Sequence, residues 1–216
     1  SANGTGTTYT TENQLTADTT VYAQWEITEA YLHKNWKNQT STLIANNTIT
    51  SIEFTSTKPT SYDSSINVGA SSETDTGDTF LNTVVAYISG TTIKIYSPVT
   101  ICAPQYSDYL FSNIEVGHLT SLTSIKFYNF DTSQVTDMSY MFYHCDTLAS
   151  LNISHFTTSQ VKDMSGMFKY CGVITSLELN NFDTSNVNNM YAMFGDCLAL
   201  QSLNISSFNT SKVTNM

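Results

Sequence analysis

Charge is what this chain has least of. Only 12% of its 216 residues are Asp, Glu, Lys or Arg, about half the share of an ordinary globular domain. The net charge of -10 and the absence of any cluster of Lys or Arg exclude a nucleic-acid partner, because phosphate binding needs grouped cations. No window approaches the roughly 18 apolar residues of a membrane-spanning helix, so no membrane insertion is expected, and no signal peptide is read. Cys-x-x-Cys does not occur, which removes the commonest zinc and redox signatures. His33, His118, His144 and His155 are scattered, without a partner histidine at helical or hairpin spacing. Paired carboxylates at matched positions and a phosphate loop are also missing. These absences argue against an enzyme, and no cofactor or metal is expected. The surface is carried by Ser, Thr and Asn, a composition that goes with extracellular or wall-attached proteins.

What is present is repetition. FDTSQVTDMSYMFYHC from Phe130, FTTSQVKDMSGMFKYC from Phe156 and FDTSNVNNMYAMFGDC from Phe182 are the same segment 26 residues apart. A fourth copy starts at Phe208 and reaches Met216. Self-similarity at this period marks a stack of units, each covering its neighbour's apolar side. Leu122, Leu148, Ile174 and Leu200 form one column of the repeat. Ile125, Leu151, Leu177 and Leu203 form the next, and Phe127, Ile153, Leu179 and Ile205 the third. The last two columns alternate as a strand does, so parallel strands with a rung spacing of roughly 4.8 Å are expected.

After the strand the period changes. Met138, Met141, Phe142 and Cys145 stand at i, i+3, i+4 and i+7, as do their counterparts up to Cys171 and Cys197. That spacing predicts a short helical return, with Asp137, Asp163, Asn189 and Asn215 as N-caps. The fold expected is therefore an α/β leucine-rich-repeat solenoid, with parallel β rungs of 26 residues and short helical returns, preceded by a small β-rich capping region. Residues 1–26 read as a residual strand or linker of a preceding module, with Val21, Ala23 and Trp25 alternating. Residues 27–118 read as the non-repeating β-rich cap, and 119–216 as the repeats, incomplete at the C-terminal end. Within the cap, Ala30 to Lys37 is weakly helical and Ile49 to Phe54 is strand-like. Residues 56–79 read as a long loop, and Leu81–Ile88, Thr92–Tyr96 and Val99–Cys102 as apolar strands.

These columns resemble the BspA-like leucine-rich repeat family of bacterial surface proteins, also described as mycoplasma-type surface lipoprotein repeats. Its unit is similar to L-x-x-L-x-L-S-x-F-D-T-S-x-V-T-D-M-S-x-M-F-x-x-C, matched by Leu148 through Cys171, with Thr157 and Lys162 as mild departures. VVAYISGTTIKIYS at 84–97 and YLF at 109–111 resemble the capping segment before such repeats. LTADTTVYAQW, within residues 1–25, resembles the end of a Listeria–Bacteroides β-grasp repeat. The resemblance implies a bacterial cell-surface or cell-wall location and a binding or adhesion role, with no catalytic mechanism.

Each candidate site has a structural reading beside the functional one. Cys145, Cys171 and Cys197 fall on neighbouring rungs, near disulfide reach. Their place at the end of the apolar stripe favours buried free thiols over a disulfide, metal or redox role. The phenylalanine columns at 130/156/182/208 and 142/168/194 fall where the rung turns around its core, which favours packing over a sugar platform. Asp137 and Asp163 suit caps better than a calcium site, which needs six to eight oxygens. The candidate ligand face is the outward side of the strands: Lys126, Asn152, Glu178 and Asn204, flanked by Tyr128, Ser154, Asn180 and Ser206. Amides, hydroxyls and mixed charges there could grip an extracellular protein or glycan, or be an ordinary solvated face. A monomeric interaction or adhesion protein is the leading reading. A structural spacer or stalk is the alternative, and a secreted enzyme with a site in the cap the minor one.

Overall fold

Among the described residues nine strands hydrogen-bond into one sheet whose two ends lie in the first and second repeats. The computed structural model describes residues 29–32, 36–41, 48–57, 66–70, 81–113 and 119–216. The strand expected at Val21–Trp25, and with it the N-terminal module, lies outside these residues. In chain order the elements are β1 (Glu29–Leu32), α1 (Trp36–Gln39), β2 (Ser51–Thr55), β3 (Ile66–Ala70), β4 (Leu81–Ser89), β5 (Thr92–Tyr96) and β6 (Thr100–Cys102). The repeats add β7 (Ser124–Phe127), β8 (Phe130–Asp131), β9 (Ser150–Leu151), β10 (Ser176–Glu178) and β11 (Ser202–Asn204).

The large sheet has the order β8-β6-β1-β3-β4-β5-β2-β7-β9, and β10 pairs with β11 in a separate parallel pair. β3–β4 and β4–β5 are antiparallel, whereas β2 pairs in parallel with both β5 and β7. The β4–β5 hairpin turns at Gly90, whose φ of 63° is one that glycine adopts without steric cost. β7 and β8 are separated only by Tyr128 and Asn129, yet they stand near opposite ends of the strand order. The sheet therefore curls around, delivering β2 to one side of the first repeat and β6 to another. Its inward side chains, among them Leu32, Ile52, Phe54, Ile93, Ile95 and Ile101, are fully buried and continuous with the core of the repeats.

Two expectations for the non-repeating part are corrected. Ala30 to Leu32 belong to β1, because their partners are β3 and β6 and tertiary pairing overrides a weak helical pattern. The loop expected at 56–79 contains β3, whose partners β1 and β4 supply the hydrogen bonds its polar sequence does not advertise.

The larger correction concerns the repeats. The chain is almost all β with a mixed sheet, not an α/β solenoid with helical returns. Among the described residues helix occurs only in the four-residue α1 and at Ser41, both outside the repeats. The return holds its apolar spacing without helical hydrogen bonds. Met138, Tyr140, Phe142 and His144 donate their N–H groups to the carbonyls of Asp163, Ser165, Met167 and Lys169 on the next rung, at 2.9, 2.8, 2.9 and 3.0 Å. The residues between them turn inward: Met141, Tyr143 and Cys145 donate to Met138, Tyr140 and Phe142. An α-helix would use all these groups within itself. Here alternate groups are committed to the neighbour, and the left-handed φ of Tyr140 (55°) and His144 (55°) make the alternation. The same positions in later rungs are Gly166 (57°), Tyr170 (64°), Ala192 (49°) and Asp196 (57°). Each non-glycine residue there costs roughly 1–2 kcal/mol of local conformational energy.

The predicted caps serve turns instead. Asp137, Asp163 and Asn189 accept, through Oδ1, the N–H two residues on, at 2.8, 2.7 and 3.1 Å. This is the Asx turn, the commonest alternative these side chains offer to a helix. Asn189 also donates Nδ2 to Asp163 Oδ2 at 2.8 Å, linking two rungs. Three further columns join the rungs. Thr132, Thr158 and Thr184 are buried and donate Oγ1 to the carbonyls of Thr157, Asp183 and Asn209. The thiols of Cys145, Cys171 and Cys197 are free, as expected, and donate to the carbonyls of Phe111, Phe142 and Phe168 at 3.3, 3.3 and 3.0 Å. Phe111, Phe142, Phe168 and Phe194 stack with centroids 5.5, 5.6 and 5.8 Å apart. This column is core, as the turning point of the rung implied.

Phe168→Ala, at a fully buried position of that column, should lower the unfolding free energy by ~3–5 kcal/mol in urea titration. A second outcome concerns pH. Burial pushes the Cys145 thiol up from 9.0 to about 12, with smaller opposing effects of Lys37 and Asp146. An unfolded chain releases this proton near 9.0 and the folded chain holds it to about 12. The stabilisation is therefore full below pH 9.0 and is lost as pH rises through that window. Urea titrations above pH 9.0 should show stability falling by up to ~1.4 kcal/mol per pH unit for this thiol, a slope that Cys145→Ala reduces.

Candidate ligand-binding face

The outward face of the strands follows from their period of two. In β7, Ile125 and Phe127 are buried, which leaves Lys126 in solvent; in β10, Leu177 is buried and Glu178 exposed. Tyr128, immediately after β7, is 71% exposed. Asn152, Ser154, Asn180 and Ser206 are exposed and Asn204 half-buried. All eight residues expected on this face lie on the solvent side.

Their hydrogen bonds show how much of each is available. Asn152 Oδ1 accepts from Ser154 N–H at 3.1 Å and from Ser154 Oγ at 2.8 Å. Asn204 Oδ1 accepts from Ser206 N–H at 3.2 Å, while its Nδ2 donates to Glu178 Oε2 at 3.3 Å. The asparagines therefore fix the turn that ends each strand and offer a ligand only their remaining polar atoms. The strand ladder is also not continuous. β9 belongs to the large sheet and β10 to the small one, so the row is divided between Asn152 and Glu178.

The row runs further in the other direction than the repeats do. Register places Glu53 of β2 beside Lys126 of β7, and Lys94 of β5 beside Glu53. Lys94 Nζ lies 3.3 Å from Glu53 Oε1. The outward row is thus Lys94, Glu53, Lys126, Asn152, Glu178, Asn204. A hydroxyl row runs parallel to it, starting with Thr92, Ser51 and Ser124, in which Ser51 Oγ and Thr92 Oγ1 are 2.6 Å apart. Sequence reading left out Glu53 and Lys94. The signal was there: Ser51-Ile-Glu-Phe repeats the pattern of Ser124-Ile-Lys-Phe, outside the 26-residue spacing.

The described residues include no group of three or more His, Cys, Asp and Glu positioned to hold a metal ion. His155, which follows the face, has its pKa lowered by burial. Asp183, at the next corner, has its pKa lowered by the hydrogen bonds it accepts from Ser185. Chemically the face offers a ladder of short-range donors and acceptors with alternating charge, suited to holding a polar chain by many weak contacts.

These features define a β-rich protein of stacked 26-residue rungs. Residues 109–216 match the family model described as "Mycoplasma protein of unknown function, DUF285". That is half of the 216 residues, and the chain belongs to this family. The match begins at Tyr109, within the segment whose N–H groups already donate to the first repeat: Ser107, Tyr109, Phe111 and Asn113 reach the carbonyls of Asp137, Ser139, Met141 and Tyr143. No curated protein and no solved structure matches the chain.

Because the face residues do not fill the core, Lys126→Ala, Tyr128→Ala and Glu178→Ala should each change the unfolding free energy by no more than ~0.5 kcal/mol. Thermal melts of the three single variants check this against the large loss expected at Phe168.

Proposed function

We propose that the chain is an interaction protein of a bacterial cell surface, binding an extracellular protein or glycan through the outward strand face. The mycoplasma family membership supports a surface-associated role, as does a surface built from hydroxyls and amides instead of Lys and Glu. The finer resemblance to the BspA-like group supports adhesion. The observation that carries the reading is the row itself. Lys126 and Tyr128 at β7, and Glu178 and Asn180 at β10, are all exposed, and none of them is needed to fill the core. No catalytic residue, cofactor or metal is assigned, nor a nucleic-acid partner, and the protein is taken to act as a monomer. Among the described residues no helix is long and apolar enough to cross a membrane.

A spacer that holds another module away from the wall is the second reading, favoured by the hydrogen bonds that tie Asn152, Asn204 and Glu178 to their neighbours. The two differ in what the face tolerates. Cells displaying the protein with Lys126→Ala, Tyr128→Ala and Glu178→Ala combined should lose adhesion to host-matrix or neighbouring-cell surfaces by at least ~10-fold, since a few side chains dominate a binding surface. Adhesion at the wild-type level would leave the spacer reading in its place.

A further inference from the structure

Among the described residues the hydroxyls of Ser124, Ser150, Ser176 and Ser202 make no hydrogen bond within the chain. They stand on successive strands of the outward face, Ser124 half-buried and the other three exposed. Register pairs Ser124 with Ser150, and Ser176 with Ser202. Where the ladder breaks between β9 and β10, Asn181 Nδ2 spans the gap, reaching the carbonyls of Ile153 and Phe156 at 3.3 and 3.2 Å. The serine row therefore crosses all of the repeat strands. Beside it runs the row of Lys126, Asn152 and Glu178. The face is a lattice of outward side chains, roughly 4.8 Å apart between strands and about 7 Å apart along them.

The composition of this lattice disfavours a protein partner. The centre of a protein–protein interface is rich in aromatic residues, Met and Arg and poor in Ser, Lys and Glu, and its dominant positions are seldom Ser or Thr. On this face Tyr128 alone is of the favoured kind. The charges disfavour a polymer of one sign. Lys94 and Glu53 pair at 3.3 Å, Lys126 lies beside Glu53, and Glu178 stands two rungs beyond Lys126. A uniformly charged chain running along the row meets a like charge within two rungs of every opposite one. The partner that matches is dense in neutral donors and acceptors, as the free serine hydroxyls are, and a neutral glycan is such a partner.

Spacing selects its linkage. An extended peptide presents like-facing groups about 7 Å apart and falls out of step with the rungs. An extended β-1,4-linked hexose chain advances by close to one rung per sugar, whereas the α-1,4-linked isomer coils away from a straight row. We infer, resting on the binding role proposed for this face, that it holds a neutral β-1,4-linked glycan lying along the stack, one sugar over each rung. The serine hydroxyls bond the sugar hydroxyls, and Tyr128, 71% exposed, offers a ring to the sugar over β7.

The full chain is titrated by calorimetry with cellohexaose, chitohexaose and, as the coiled control, maltohexaose. One of the two β-1,4-linked chains should bind at least ~10-fold more tightly than its own disaccharide and than maltohexaose. Ser150→Ala combined with Ser176→Ala removes two exposed hydroxyls that the core does not use, and should weaken that binding at least ~10-fold. The proposal is overturned if neither β-1,4-linked chain binds, if maltohexaose binds as well as they do, or if the serine variant binds as the wild type does. Should the serine variant fail to fold, nitrogen-15 NMR of the wild type decides. Sugar-induced shifts at the side-chain amides of Asn152 and Asn180 support the site, and unmoved amides reject it. Where no sugar binds, adhesion lost by the Lys126/Tyr128/Glu178 triple variant keeps the face and removes the glycan, and adhesion kept by it removes both.

Discussion

Alternate backbone N–H groups of each return point along the stack to the carbonyls of the next rung, and the remaining architecture is subordinate to that arrangement. It persists where the strand ladder does not. β9 and β10 lie in different sheets, yet the bridges Asp137–Asp163–Asn189–Asn215 run through all the repeats. A buried backbone donor without a partner costs more than a typical bond contributes. The return can therefore be compact and apolar only while a neighbour accepts its outward-pointing donors. The threonine and cysteine columns repeat this logic with side chains, each donating to a carbonyl one rung away.

The carbonyls on the other side of the first return need partners too, and the non-repeating part provides the donors. β2 pairs with β7, β6 with β8, and the segment from Ser107 to Asn113 meets the return of the first repeat. That segment is itself held by α1. Trp36 donates Nε1 to the carbonyl of Leu110 at 3.1 Å. The buried Lys37 places Nζ 2.7 Å from the carbonyl of Ser112 and 3.1 Å from that of Tyr109. Two side chains on a single helical turn thus fix the template on which the stack is laid down.

Periodicity made a good deal of this legible. Which residues face inward was readable at Met138, Met141, Phe142 and Cys145, all buried, and so were the free thiols and the outward position of Lys126 and Glu178. The conformation of the return was not. A 3-1-3 spacing of apolar residues arises equally from a helix and from successive turns, and only the destination of the N–H groups separates them. Gly166, in a column shared with Tyr140 and Ala192, was the one local sign of left-handed backbone. β3 could not be read from a polar segment, because its partners lie elsewhere in the chain. β2 repeats the β7 pattern at the wrong spacing for a search by period.

Because the hydrogen bonds between rungs lie parallel to the stacking direction, traction applied at the chain ends loads them one interface after another instead of all together. Each rung that peels away releases about 26 residues, or roughly 90 Å of slack at full extension. Such a body lengthens in steps under tension, as a shock absorber does. The phenylalanine column, whose rings must part face from face at every step, sets the resistance of each one.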